Sequence, residues 1–416
     1  MNLEPAKKEV LYYRPQKISL DSFQQKLACV FENRWFTNSG PMESELADSI
    51  ATLHGVKHCV LLANATLALL LTTRALKLRG RVITTPFSFV ATTQALMWEG
   101  LEPVYVDIDP DHWTISPKAI SAALHSEGNG ISGILGVHVF GTPCQAEEID
   151  QIAADNGIVS FYDAAHCFGV QYKGKSVGSF GQAEILSFHA TKIFQTFEGG
   201  AVLTNDSVLA SKIEKMRNFG FDGLDSVDSL GINAKMNEVS AAYGLSLLPH
   251  IQRTIEELSE IHQSYRAKLK GVTGISCTAP LQGLASNNQY FPILIDQQSF
   301  QLSRDEVWAA LWAKGIQTRR YFFPMLSDVH ARLTGAASKS HLPNSKYIAE
   351  SVLCLPCYVD LDETALEEIA MQIISLQCNK VTVRKWYLSF LNESAPIGTL
   401  AHVHRALNRE RTSKCG

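Results

Sequence analysis

The stretch Ile158-Val159-Ser160-Phe161-Tyr162-Asp163-Ala164-Ala165-His166 is the starting point for predicting the fold. Its first five residues read as an apolar strand, and a carboxylate and an imidazole follow where that strand ends. In open sheets of parallel strands, ligands bind beyond the carboxyl ends of the strands. Asp163 and His166 are therefore placed for chemistry if the surrounding chain builds such a sheet.

The sequence on both sides of this strand, from about residue 55 to residue 205, alternates short β-branched runs with helical patterns. The predicted strands are Lys57–Leu62, Arg81–Thr85, Val104–Ile108, Ile131–Phe140, Ile158–Ala164, Ala183–His189 and Ala201–Asn205. The predicted helices between them include Leu67–Leu78, Val90–Trp98, Pro117–Leu124 and Ala146–Asp155. This alternation predicts an α/β fold with a mainly parallel, seven-stranded sheet that is covered by helices on both faces.

The chain of 416 residues is too long for a single compact core, and a second domain is expected after the sheet. Residues 236–272 lack strand signals and read as one or two long helices. A smaller α+β segment follows, with predicted strands Tyr290–Ile295 and Ile316–Tyr321 and predicted helices Arg304–Lys314 and Asp362–Leu376. We expect a large domain over 1–250, a small domain over 251–378 and an extension over 379–416.

The extension is basic. From Lys380 to Gly416 it holds seven lysine or arginine residues against the two acids Glu393 and Glu410. A solvated, partly helical tail explains this composition, and so does a segment that docks onto an acidic surface or partner.

Composition excludes several classes of function. Hydrophobic content of 46% with 19% charged residues is that of an ordinary globular protein, and a net charge of −4 gives no reason to expect a nucleic-acid partner. No apolar run approaches the roughly 20 residues that span a bilayer. Residues 1–9 are charged and lack the apolar segment of a secretion signal, so we expect the cytoplasm.

Nine cysteines are scattered along the chain. Cys354-Leu355-Pro356-Cys357 has the spacing of half a zinc site or of a redox pair, but no second pair and no nearby histidine completes a tetrahedral set. We therefore expect no metal site, and reduced thiols in a reducing compartment.

A lysine lies in an unusual context at the end of the next strand. Lys192 closes the run Ser187-Phe188-His189-Ala190-Thr191-Lys192 and precedes the Gly-rich turn Glu198-Gly199-Gly200-Ala201. A lysine shielded from water loses its proton more readily and becomes a nucleophile. A lysine and Asp163 on neighbouring strand ends suit pyridoxal 5′-phosphate (PLP), which needs one group for its aldehyde and one for its pyridinium nitrogen.

A phosphate cradle and a ring clamp would complete a PLP site. Asn64-Ala65-Thr66 precedes a predicted helix whose N-terminus favours an anion, although taken alone Asn64 or Thr66 is more simply a plain helix cap. Ser187 is a second candidate phosphate ligand.

Phe89 is the candidate for stacking on the cofactor ring, although a core position is the alternative and Phe87 could fill either role. His166 could stack under the ring, hold the region of the 3-hydroxyl, or be a satisfied buried histidine.

Together and in order, these motifs closely resemble the DegT/StrS family of PLP-dependent sugar aminotransferases. The resemblance rests on five segments and covers about residues 30 to 378: Asn64–Leu69, Pro86–Thr92, Asp163–His166, Ser187–Lys192 and Glu198–Ala201. The segments Gly231–Glu238 and Asn38–Pro41 also look like those of the family. The resemblance implies an aspartate aminotransferase-like fold, a homodimer with shared active sites, L-glutamate as amino donor and a nucleotide-linked ketosugar as acceptor.

Roles for single residues follow from the same resemblance. It implies that Lys192 forms the internal aldimine and then moves protons, and that Asp163 pairs with the ring nitrogen. The remaining cofactor contacts it implies are Phe89 and His166 on the ring, Ala65, Thr66 and Ser187 on the phosphate, and Asn233 on the phosphate of the neighbouring subunit.

The acceptor is less closely defined by sequence. His166 and the His189-Ala190-Thr191 context look most like members that aminate the 4-keto position of a dTDP-6-deoxyhexose. A 3-keto sugar, a non-sugar ketone and a non-catalytic PLP-binding regulator are the alternatives. The expected substrate contacts are Asn38, Ser39, Gly40, His189, Arg320 and Tyr321.

Overall fold

The computed structural model of the protein describes residues 9–128, 130–278, 281–335 and 341–393. Within these residues the strands are β1 (His58–Leu62), β2 (Arg81–Thr84), β3 (Glu102–Tyr105), β4 (Ile131–Val137), β5 (Val159–Asp163), β6 (Gln171–Tyr172), β7 (Lys175–Ser176), β8 (Glu184–Ser187), β9 (Gly200–Thr204), β10 (Ile275–Cys277), β11 (Leu284–Ala285), β12 (Phe291–Ile295) and β13 (Val352–Leu355).

The helices of the same residues are α1 (Leu20–Asn33), α2 (Pro41–His54), α3 (Ala65–Ala75), α4 (Val90–Trp98), α5 (Pro117–Glu127), α6 (Ala146–Asp155), α7 (Ser207–Met216), α8 (Glu238–Leu247), α9 (Ile251–Leu269), α10 (Gln297–Phe300), α11 (Arg304–Ala313), α12 (Leu326–Thr334), α13 (Pro343–Ser351), α14 (Glu363–Cys378) and α15 (Lys380–Glu393). A short 3₁₀ turn, Leu248–His250, joins α8 to α9.

The central sheet has seven strands in the order β1-β9-β8-β5-β4-β2-β3. The pairings from β8 to β3 are parallel, and β9 runs antiparallel to both of its neighbours. The predicted mainly parallel sheet of seven strands is confirmed, and each of the seven strands predicted for it overlaps one observed strand. Parallel pairing brings the carboxyl ends of β4, β5 and β8 to one edge, where Val137 lies opposite Asp163.

Both faces of this sheet are buried, which explains why its strands read as nearly continuous apolar runs. In β1, Leu61 packs into one core cluster, while Val60 and Leu62 pack into another on the opposite face. In β9, Leu203 packs into the same cluster as Leu61, and Val202 packs into the cluster on the opposite face. The period of two residues that separates the faces therefore leaves no side of these strands for water.

Local sequence signals explain where several helices begin. The side chain of Asn64 accepts a hydrogen bond from the backbone N–H of Leu67, which caps α3. Ser303 and Glu306 form a reciprocal capping box at the start of α11. The predicted helices Val90–Trp98 and Ala146–Asp155 coincide with α4 and α6.

The later part of the chain is α+β. Strands β10, β12 and β13 form an antiparallel sheet, against which α11 and α13 pack. The predicted strand Ile316–Tyr321 is wrong as a strand. Within the described ranges its residues make single bridges, from Ile316 to Val10 and from Arg319 to Cys354, and no described segment runs alongside it as a continuous partner strand. The strand that pairs with β12 in its place is β13.

The expected division into domains at residue 250 stays a prediction. The largest core cluster contains Leu61 of the central sheet, Ile293 of β12 and Leu366 of α14, so packing is continuous between the two parts.

The extension begins with α15, in which Val383 is buried and Arg384 donates to the Glu306 carboxylate at 2.9 Å. Residues 394–416 lie outside the described residues.

Three properties expected from composition can be checked only where the structure describes the chain. Within those ranges no helix is long and apolar enough to cross a membrane. In the same ranges, no group of three or more histidine, cysteine or acidic side chains could hold a metal ion. Cys354 and Cys357 are both buried free thiols.

Candidate active site

A cavity of about 630 Å³ opens at the edge of the central sheet where β4, β5 and β8 end. It collects most of the residues singled out from the sequence, namely Asn64, Ala65, Thr66, Phe89, Asp163, His166, Ser187, His189, Lys192 and Tyr321. Residues from five separate chain segments therefore meet, as the crossover connections of a parallel sheet require.

Lys192 lies in the loop after β8, and its Nζ donates a hydrogen bond to the hydroxyl of Tyr290 at 3.1 Å. Burial lowers the pKa of Lys192 from its usual 10.5 to about 8, and the negative charge of Asp163 opposes that shift. A substantial share of the side chain is therefore an unprotonated amine at mildly alkaline pH. The backbone carbonyl of Lys192 accepts a hydrogen bond from Tyr13, which fixes the loop from the other side.

The Asp163 carboxylate is buried at the end of β5, and both of its oxygens are held. Oδ2 accepts from the hydroxyl of Thr92 at 2.7 Å, and Oδ1 accepts from the backbone N–H of Ala165 at 3.1 Å. Thr92 is in turn within 2.7 Å of the Ser88 hydroxyl. These bonds fix the orientation of the carboxylate at the base of the cavity.

His166 is a buried, neutral imidazole. Its Nδ1 accepts the backbone N–H of Phe140 at 3.2 Å, so the ring proton lies on Nε2. Burial, assisted by the charge of Lys192, holds the pKa of His166 well below its usual value. The ring stacks on Phe140, with an interplanar angle of 9°, and lies 4.4 Å from the ring of Tyr290. The neutral ring of His166 can therefore stack on a flat ligand, but it carries no charge to pair with one.

The structure shows which of the two candidate phenylalanines, Phe87 and Phe89, faces the cavity. Phe87 is fully buried and packs edge-on against Phe140 and Phe322, so it belongs to the core. Phe89 is 56% exposed and lines the cavity just before α4. An apolar ring face that borders a cavity is available to a flat ligand.

The start of α3 offers a close approach to the backbone. Asn64 is a helix cap, as one of the two interpretations held, while Ala65 and Thr66 line the cavity beside it. A Cβ at Gly200 of β9 would lie 2.5 Å from the backbone nitrogen of Ala65, so only glycine allows this packing. Ser187 is buried at the end of β8.

Taken together, these residues fit PLP. The cavity has a helix N-terminus for the phosphate, a buried carboxylate, an exposed aromatic face and an amine whose pKa is lowered by burial. The cavity suits PLP because each chemical group that the cofactor needs lines one continuous space.

Five of the predicted site residues do not line this cavity. Asn38 and Ser39 are exposed and adopt left-handed backbone conformations, and the Ser39 hydroxyl accepts from Arg217 at 3.2 Å. A Cβ at Gly40 would lie 2.5 Å from the carboxylate carbon of Glu238, which caps the start of α2. Asn233 is exposed on the same side of the molecule.

The fifth, Arg320, turns into a smaller cavity of about 190 Å³, which shares five lining residues with the larger one: Ser88, Phe89, Arg319, Tyr321 and Phe322. Its guanidinium pairs with Asp305 at 3.0 Å and lies 3.9 Å above the ring of Trp308.

The residues that line the main cavity without having been predicted from sequence include Tyr12, Tyr290 and Arg319. Tyr290 is the first residue of the predicted strand Tyr290–Ile295, and Arg319 directly precedes a predicted site residue, but no motif marks either. The segment before β12 also contacts the loop of the lysine, because the Gln289 amide donates to the carbonyl of Thr191 at 2.9 Å. Only the folded chain brings these residues to Lys192.

Comparison with known proteins agrees with this geometry. Residues 18–374 match the DegT/DnrJ/EryC1/StrS aminotransferase family. The dTDP-4-amino-4,6-dideoxy-D-glucose transaminase of Shigella dysenteriae is 40% identical over 366 residues, which are 88% of this chain and 98% of that protein. The Escherichia coli protein of the same name is 40% identical over 370 residues, again 88% of this chain and 98% of the relative.

Solved structures give the same result. DesI, crystallised in the presence of its TDP-sugar product, superposes with a TM-score of 0.87 at 34% identity, over 92% of this chain and 97% of DesI. Helicobacter pylori PseC, an aminotransferase involved in the biosynthesis of pseudoaminic acid, superposes with a TM-score of 0.81 at 27% identity, over 88% of this chain and 99% of PseC.

Proposed function

Because this chain belongs to the DegT/DnrJ/EryC1/StrS aminotransferase family, we propose that it moves an amino group from L-glutamate to a nucleotide-linked ketosugar. The chain is an aminotransferase, and its cofactor is PLP. The acceptor that we propose is a dTDP-4-keto-6-deoxyhexose. The proposal of the sugar is carried by two relatives at 40% identity that are named as transaminases of a dTDP-linked 4-amino-4,6-dideoxyglucose.

When bound, PLP supplies an aldehyde and an electron-withdrawing ring that can carry the amino group between donor and acceptor. The chain supplies the groups around it. We assign the nucleophile and the mobile proton to Lys192, whose neutral amine is favoured by burial. Asp163, fixed by Thr92 and Ala165, is assigned to the ring nitrogen.

The remaining cofactor contacts follow from the shape of the cavity. The exposed face of Phe89 and the neutral ring of His166 are assigned to the two faces of the cofactor. Ala65, Thr66 and Ser187 are assigned to its phosphate, because they lie at the start of α3 and the end of β8. The ring of Tyr290, whose centroid lies 5.7 Å from Nζ, covers Lys192 on one side.

A homodimer with shared active sites is part of the proposal. Apolar side chains stay exposed in two neighbouring segments, namely Phe31, Trp35, Phe36, Phe219, Phe221, Leu224, Val227 and Leu230. The segments are adjacent because Arg217 donates to Ser39 and the backbone of Glu238 donates to the carbonyl of Phe36. An exposed apolar surface of this kind is typical of a subunit interface.

Asn233 lies within the same surface, next to Asn218. Its exposed position away from the cavity of its own chain is the position needed to reach the cofactor phosphate of a second copy. We propose that Asn38, Ser39 and Gly40 likewise reach the active site of a second copy, where they lie near the substrate, since they border the apolar surface.

The compartment and the domain limits are proposals as well. The buried, unpaired thiols of Cys354 and Cys357 support a reducing compartment, for which we propose the cytoplasm. The turn Leu248–His250 between α8 and α9 supports a boundary between the large and small domains near residue 250.

The proposal is tested by incubating the holoenzyme with L-glutamate and a panel of nucleotide-linked 4-keto and 3-keto sugars, with mass detection of the aminated product. We expect amination of dTDP-4-keto-6-deoxyhexoses and none with Lys192→Ala. The exposed Lys57→Ala serves as the matched control. Amination of only a 3-keto sugar or a non-sugar ketone would replace the proposed acceptor, and normal turnover by Lys192→Ala would overturn the mechanism.

A further inference from the structure

Two consecutive arginines, Arg319 and Arg320, meet different environments although they are neighbours in sequence. Arg320 shares the Asp305 carboxylate with Arg304 and is covered by Trp308, so it already has a counter-charge within the protein. Arg319 lines the main cavity together with Lys192 and also borders the smaller cavity into which Arg320 turns. This difference in surroundings determines which of the two arginines can bind an incoming anion.

The position of Arg319 is fixed by its backbone. Its N–H donates to the carbonyl of Cys354 at 3.0 Å, and its carbonyl accepts from the N–H of Cys354 at 2.8 Å. The guanidinium lies between two aromatic rings, 5.0 Å from the centroid of Tyr12 and 5.1 Å from that of Tyr321. One of its N–H groups interacts with the side-chain oxygen of Tyr321, and its other N–H donors remain available to a ligand.

No carboxylate within the described ranges forms a salt bridge with Arg319. The other charged groups of the cavity have partners or assigned roles. Glu198 lies 3.7 Å from Nε2 of His189, and Asp163 is held by Thr92 and Ala165. Arg319 is therefore the guanidinium of this cavity whose positive charge has no counter-charge.

The proposed reaction brings an anion into this cavity. An amino-acid donor carries a carboxylate two bonds from the nitrogen that must react, so that carboxylate enters the partly water-excluded space around Lys192. Taking a carboxylate out of water is costly unless it is paired. A guanidinium is the side chain whose donors match a carboxylate in pairs.

We infer that Arg319 binds a carboxylate of the amino donor, an inference that rests on the proposed function. Contacts connect it to the lysine, since Tyr321 packs against Tyr290 at 5.9 Å and the Tyr290 hydroxyl bonds Nζ of Lys192. The diphosphate of a sugar nucleotide is separated from the 4-keto carbon by the whole hexose ring. It therefore lies farther from Lys192 than a donor carboxylate does.

The test measures binding in the PLP-loaded enzyme. The probe is glutarate, a dicarboxylate that lacks the reacting amino group, and its Kd is measured by calorimetry. We expect Arg319→Gln to raise this Kd roughly 10- to 100-fold, as the loss of a hydrogen-bonded charge pair predicts. Arg319→Met, which keeps the apolar stem between the two rings, should behave in the same way and serves if Arg319→Gln does not fold.

Two further variants sharpen the comparison. Arg253→Gln removes an exposed arginine of α9 and should bind glutarate like the wild type. Arg320→Gln tests the competing assignment to the neighbouring arginine. The inference is overturned if Arg320→Gln weakens glutarate more than Arg319→Gln does, or if both Arg319 variants keep the wild-type Kd.

A third ligand distinguishes the two possible anions. dTDP carries the diphosphate without a donor carboxylate, and its Kd should change less than about threefold in Arg319→Gln. A larger loss for dTDP than for glutarate would assign Arg319 to the nucleotide and overturn the inference. Failure of the proposed function looks different, because the visible spectrum of the wild-type holoenzyme would then not respond to L-glutamate at all.

Discussion

Nζ of Lys192 donates a hydrogen bond to the hydroxyl of Tyr290 at 3.1 Å, although 98 positions separate the two residues. The lysine follows β8 of the central sheet, whereas the tyrosine directly precedes β12 of the antiparallel sheet. Burial raises the pKa of Tyr290 well above its usual value, so its hydroxyl stays protonated. The oxygen can then accept from the amine in either protonation state, but it stabilises the ammonium form more strongly.

Replacing Tyr290 with Phe should therefore lower the pKa of Lys192 below about 8, because the charged form loses its acceptor. It should also slow turnover by roughly tenfold, since the amine loses a contact that orients it. The pKa is measured on the apoprotein from the pH dependence of trinitrophenylation of Lys192. Tyr265→Phe removes a buried hydroxyl that bonds the carbonyl of Pro356 and is the matched control. An unchanged lysine pKa in Tyr290→Phe would contradict this account.

The lowered pKa of Lys192 in the wild-type protein predicts how the rate of PLP binding depends on pH. Below pH 8 the ammonium form dominates, so the rate at which the apoprotein combines with added PLP should fall about tenfold per pH unit. Above pH 8 the rate should level off, because the amine is then neutral. Stopped-flow absorbance gives the profile, and a midpoint near the ordinary lysine value of 10.5 would show that burial does not shift this group.

Asp163→Asn should lower the pKa of Lys192, since the carboxylate is the group whose charge holds that pKa up against burial. The change should also reduce turnover by roughly 100-fold, through loss of the negative charge assigned to the cofactor nitrogen. Both are measurable by kinetics and by titration of the apoprotein. Asp150→Asn, which alters a carboxylate bonded to Tyr162 and Ser160, should change stability only. Equal losses in the two variants would mean that Asp163 acts merely by supporting the fold.

Leu224→Asp should shift the protein from dimer toward monomer. The side chain is 93% exposed within the apolar surface of the 219–230 segment, so in a lone chain the substitution removes no buried contact. In a dimer it places an unpaired charge in an apolar interface, which is costly. Light scattering after size-exclusion chromatography measures the mass, with Val208→Asp on the exposed side of α7 as control. A wild type that elutes as a monomer would contradict the proposed shared active sites.

The sequence predicted the central fold because its signals are local. Apart from the edge strand β3, whose Glu102 is exposed, the strands of the main sheet are largely buried on both faces, so their runs of apolar residues are visible without knowledge of their neighbours. The helix patterns of α4 and α6 were read to the residue for the same reason. The segment Ile316–Tyr321 also contains β-branched and aromatic residues, but strand formation needs a partner, and among the described residues its bridges are to single residues of other segments.

The motifs around Lys192 could also be read from the chain, since strand ends carry Asp163, His166 and Ser187 to one edge of a parallel sheet. The tertiary contacts around these motifs could not be predicted from the sequence. Whether Phe87 or Phe89 faces the cavity depends on Phe140 and Phe322, which lie far away in sequence. Whether Arg319 or Arg320 keeps its charge depends on Asp305 and Trp308.

The sequence by itself determined the sheet and the cofactor and singled out Lys192 as the candidate lysine, because strand burial and short motifs are properties of a few adjacent residues. Only the tertiary structure decided which side chains shift the pKa of Lys192 and which cation remains available to a ligand. Those properties are set by desolvation and by charge over distances of a few ångströms. Such distances join Lys192, Tyr290 and Arg319 only after the two sheets have packed together.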